Sequence, residues 1–102
     1  MIKLVKTCNA CPEQYDAYDE YGGLIGYLRL RWGHFSVRYP NPSGEVVYEA
    51  SPRGDGIFEW DERDRYLADA VRALALAASG GGRRSVEIAM GAAPEYEIED
   101  RS

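Results

Sequence analysis

From Leu24 to Tyr39 apolar and polar residues alternate with a period of two. Leu24, Gly26, Leu28, Leu30 and Trp32 share one face of an extended segment, and Ile25, Tyr27, Arg29 and Arg31 the other. After a tight turn at Trp32-Gly33-His34, Phe35, Val37 and Tyr39 continue the apolar side. His34, Ser36 and Arg38 continue the polar side. The same period runs through Ile2 and Leu4, then through Tyr15 and Ala17 against Asp16 and Tyr18, and again through Val46, Tyr48 and Ala50. Tyr21-Gly-Gly23 predicts a hairpin turn, because glycine reaches the positive φ that hairpin loops need. Tyr39-Pro-Asn-Pro-Ser-Gly44 and Pro52-Arg-Gly-Asp-Gly56 read as further turns. Short links between consecutive strands predict an antiparallel meander.

From Asp61 the period changes. Leu67, Ala70, Val71, Leu74, Ala77 and Ala78 fall at helical spacing, which predicts an amphipathic helix over 61–79. Asp61 is the expected N-cap, with Glu62 and Asp64 at the positive end of the helix, and Ser79-Gly-Gly-Gly82 ends it. Ile57, Phe58 and Trp60 are expected to pack beneath the first turn. Val86, Ile88 and Met90 predict a last strand over 85–90, and the acidic residues 95–102 read as a solvated tail outside a domain of 1–94. The expected fold is α+β: an antiparallel four- to five-stranded meander sheet with one long amphipathic helix packed on one face. Which face the helix covers is open, because Tyr and Ile occur on both.

Composition narrows the function. With 102 residues the chain is one domain, and 45% hydrophobic residues argue against disorder. A net charge of −5 argues against bulk nucleic-acid binding. No apolar run reaches membrane-spanning length and no signal peptide opens the chain, so a cytoplasmic protein without membrane contact is expected. Two tryptophans and eight tyrosines exceed what one helix can cover on such a sheet, which predicts exposed aromatic area and a homo-oligomer.

Candidate chemistry is sparse. Cys8 and Cys11 form a single C-x-x-C, readable as half a zinc site, as a redox pair or as two reduced turn cysteines. With His34 the only histidine, the metal set is incomplete, and no metal or other cofactor is expected. Asp16, Asp19 and Glu20 are loosely grouped acids without a metal-binding frame, and the triple glycine follows a helix instead of opening one. No serine or cysteine has a motif pairing it with His34, so an enzyme is not expected. Arg29, Arg31 and Arg38 remain, on one face with Tyr27. Either Glu49 and the acids at 13, 16 and 20 neutralise them, or they bind an anion: guanidinium forks suit phosphate, and Tyr27 could stack on a base.

The run Cys11-Pro-Glu-Gln-Tyr-Asp-Ala-Tyr-Asp19, with Gly26-Tyr-Leu-Arg-Leu-Arg31 and Gly54-Asp-Gly-Ile-Phe58, resembles small uncharacterised proteins of actinobacterial phages and prophages over roughly residues 2 to 75. The resemblance carries no assigned chemistry. It implies a counter-defence role in the host cytoplasm, either sequestering a phosphate-bearing nucleotide signal at Tyr27, Arg29, Arg31 and Arg38, or blocking a host enzyme through an acidic, aromatic surface.

Overall fold

The computed structural model describes residues 1–8, 12–78 and 95–100. Strands β1 (Ile2–Cys8), β2 (Glu13–Tyr18), β3 (Leu24–Arg31), β4 (His34–Tyr39) and β5 (Glu45–Ala50) precede helix α1 (Arg63–Ala78), and β6 (Tyr96–Asp100) follows it. One sheet contains all six strands in the order β5-β4-β3-β2-β1-β6. The first five form the expected antiparallel meander, while β6 lies parallel to β1. The fold is α+β, and the described residues form six strands where four or five were expected. The expected strand over 85–90 lies outside the described residues.

Strand β6 comes from the segment expected as a solvated tail. Ile2 pairs with Tyr96, Leu4 with Ile98 and Lys6 with Asp100. Acidity does not prevent this, because Lys3 on β1 meets Glu97 and Glu99 at 4.0 and 3.2 Å. Tyr96 packs against the core. Thr7 and Cys8 extend β1, and Glu13 opens β2, beyond the residues whose alternation marks these strands.

Helix α1 lies on β3, β4 and β5. Its buried side chains Leu67, Ala70, Val71 and Leu74 meet Leu28, Leu30, Phe35 and Val37. The face it covers therefore carries Leu28, Leu30, Phe35 and Val37, which settles what alternation left open. Gly26 permits close approach: a Cβ there would stand 2.4 Å from one Leu74 methyl, 2.8 Å from the other and 3.1 Å from the Arg38 carbonyl. Phe58, 3% exposed, stacks with Tyr66 and meets Phe35 edge-on, whereas Ile57 and Trp60 are exposed instead of lying under the helix. Leu24 and Trp32 also leave the apolar face at the strand ends. A register shift in the β4–β5 ladder between Val37 and Arg38 leaves Val46 opposite Arg38 and exposed, not beneath the helix with Tyr48.

Two buried carboxylates close the β3–β4 end. Glu13 takes two bonds from Arg63, at 2.9 and 3.1 Å, one from the Phe58 N–H at 3.0 Å and one from the Tyr15 hydroxyl. Glu62 accepts the N–H groups of Arg53, Gly54 and Glu59, each at 2.9 Å. Asp61 is not the cap: it pairs with exposed Arg53, while the Glu62 and Arg63 N–H groups turn to the Glu59 carbonyl. Together these bonds fix the loop between β5 and α1 onto the start of β2.

Candidate functional site

Strand pairing places the polar residues of β2, β3 and β4 on the face opposite the helix. Asp16, Tyr27 and Arg38 form one row across the three strands. Gln14, Arg29 and Ser36 form the next, and Arg31 with His34 closes the hairpin. All three arginines therefore share the open face, as alternation predicts.

Neither Glu49 nor the acids at 13, 16 and 20 form an ion pair with these arginines. Glu13 is buried on the helix side with Arg63, Glu49 pairs with His34 at 3.0 Å, and Glu20 lies 3.9 Å from the N-terminal ammonium. Among the described residues, no carboxylate lies within ion-pair distance of Arg29, Arg31 or Arg38. The Arg29 Nε is buried and has no hydrogen-bond partner there. Burial holds the Asp16 carboxyl above its ordinary value. Tyr27 is also raised, first by burial, with Arg29 opposing and Asp16 adding to it.

The four residues read from the sequence do not form one site. Arg29 and Arg31 line a concavity of about 270 Å³ together with Trp32, His34 and Ser36. Tyr27 stands outside it, its hydroxyl donating to Gln14 at 2.9 Å. Arg38 donates to the Gly44 carbonyl at 2.8 Å and so braces the β4–β5 turn. Sequence reasoning missed Trp32 because strand parity was carried through the turn, which in fact holds it 77% exposed. Ser36 and His34 were visible on the arginine face, since they share parity with Arg38.

The other candidates resolve differently. Asp19 is a turn residue: its side chain accepts the Tyr21 and Gly23 N–H groups at 2.9 and 2.8 Å. Cys8 is half-buried and Cys11 lies outside the described residues. No group of three or more His, Cys, Asp or Glu able to hold a metal ion occurs among the described residues. No helix among them is long and apolar enough to cross a membrane. In comparisons with known proteins, no family model, no curated protein and no solved structure matches the chain.

The concavity presents two guanidinium groups, an imidazole, a hydroxyl and an indole, all from the β3–β4 hairpin. Such a set can bind an oxyanion through charge-assisted hydrogen bonds.

Proposed function

We propose that this chain is a small non-catalytic binding protein that holds a phosphate-bearing small molecule of the nucleotide class. On this reading it acts by sequestration, consistent with the counter-defence role that the phage resemblance implies. One observation carries the proposal: Arg29 and Arg31 line a common concavity and have no carboxylate partner among the described residues. Unneutralised like charges on one sheet face are unfavourable, and a bound anion would relieve them. Arg38 is left out of the binding set, because its guanidinium braces a turn.

The test is calorimetric titration with nucleoside diphosphates of the parent and the Arg29→Ala/Arg31→Ala double variant. A charge-assisted hydrogen bond is worth about 1.5–3 kcal/mol, so losing two should weaken binding on the order of a hundredfold or more. The thermal unfolding midpoint should not fall. Equal affinity in parent and variant would refute the assignment.

A second reading has its own observation. Trp60 is 85% and Ile57 44% exposed in the loop fixed to this end, and exposed aromatics rimmed by charge mark protein interfaces. A homo-oligomer contact, or a host enzyme to be blocked, would use them, and sedimentation velocity reads the first of these.

A further inference from the structure

Trp32 occupies a backbone position that a bulky side chain rarely takes. It has φ 57° and Gly33 φ 71°, and Arg31 pairs directly with His34, so Trp32-Gly33 is a two-residue hairpin loop with positive φ at both positions. Such loops favour Asn-Gly, since asparagine tolerates the left-handed region and a bulky residue there is an outlier. Strain of this kind persists where the surroundings enforce it, and it concentrates at functional sites. The surroundings are visible here. The Gly33 N–H donates to the Asp55 carbonyl at 3.2 Å, pinning the loop to the β5–α1 connection, and the Arg31 guanidinium sits over the indole at 5.4 Å from its centroid. The ring is 77% exposed all the same, so burial does not explain the residue. Trp60, even more exposed, has no positive φ and makes a natural control.

The concavity holds about 270 Å³, just under the roughly 300–1,000 Å³ usual for sites that enclose a whole small ligand. It suits the phosphate end of a nucleotide and leaves the base outside, beside the indole that forms its rim. We propose that Trp32 is the stacking platform for the base, backed by Arg31, and that this ring, not Tyr27, selects an aromatic phosphate ester over a bare phosphate. The inference rests on the phosphate-binding reading above and adds the part of the ligand that reading leaves unspecified.

The test uses the Trp60→Phe protein, in which Trp32 is the sole tryptophan. ADP, GDP, CDP and UDP are titrated against pyrophosphate, by calorimetry and by indole fluorescence. At least one nucleotide should bind on the order of tenfold tighter than pyrophosphate, with a change in Trp32 emission. Trp32→Asn should abolish the preference for nucleotide over pyrophosphate, read as the ratio of the two affinities in that same variant. It should not lower the unfolding midpoint, because asparagine suits the turn. Trp32→Phe should keep part of the preference. Equal affinity for nucleotides and pyrophosphate in the parent, or a preference surviving in Trp32→Asn, would overturn the stacking role while leaving the arginine site intact. A fall in the midpoint of Trp32→Asn would make the indole a structural residue and overturn it too. If neither nucleotides nor pyrophosphate bind, the phosphate-binding reading fails and this inference with it.

Discussion

Glu13 lies at the first position of β2, on the same side as Tyr15 and Ala17. Burial alone would push its carboxyl up, but bonds from Arg63, Tyr15 and the Phe58 N–H outweigh that and hold it below its ordinary value. The same balance lowers Glu62, where burial is opposed by the N–H groups of Glu59, Arg53 and Gly54. A carboxyl lowered by folding contributes stability that is complete above its unfolded value, about 4.3. That contribution is lost as pH falls through the lower folded value. The protein should therefore lose stability steeply below about pH 4.3, and Glu13→Gln should flatten that dependence in urea titrations between about pH 5 and 2. At neutral pH the same change should cost about 3 kcal/mol, because Arg63 loses its buried partner. Glu13 shares the parity of Tyr15 and Ala17, yet the sequence reading set it among the acids that could neutralise the arginine face, because its true partner lies fifty residues away on another element. Trp32 shows the opposite error, since parity ends where a turn begins.

At the scale of elements, β1 to β5 and α1 were readable because each carries one period over several residues. β6 was not. Its residues Tyr96-Glu-Ile-Glu-Asp100 do alternate, but the acids outweighed the pattern, and Lys3, which meets Glu97 and Glu99, lies at the other end of the sequence. Gly26 carried a legible signal that went unread: a glycine inside a strand often marks close approach of another element. Gly26→Val should lower the unfolding midpoint, since overpacking here meets both Leu74 methyls and backbone, and costs about 1–3 kcal/mol. A midpoint unchanged in thermal melts would mean that α1 lies further from the sheet than described.

For the whole molecule, charge is distributed unevenly. The chain carries −5 overall, yet the concavity is lined by arginines, while Glu97 and Glu99 flank Lys3 at the β1–β6 edge of the sheet. Composition gives only the sum, so the basic site inside an acidic protein was legible from strand parity alone. The exposed apolar residues are spread more widely, Met1, Tyr21, Leu24, Val46 and Ile98 among them, but Ile57 and Trp60 lie close together in the β5–α1 loop. If Ile57 and Trp60 form a contact between copies, sedimentation velocity of the parent should show an oligomer that the Ile57→Ser/Trp60→Ser variant dissolves. A monomer at all concentrations would remove the homo-oligomer and leave these side chains to a different partner or to none.

The parallel pairing of β1 with β6 has a kinetic consequence. Every other neighbouring pair in the sheet joins strands adjacent in sequence, and such contacts form after closing only a short loop. Seating β6 closes a loop spanning nearly the whole described chain, with an entropic cost that grows as the logarithm of its length. Assembly should thus proceed from the local hairpins outward, with β6 docking late. Until it does, one edge of β1 stands unpaired and open to β1 of another molecule. The order of assembly, more than the final stability, would then set how concentrated this protein can be while it folds.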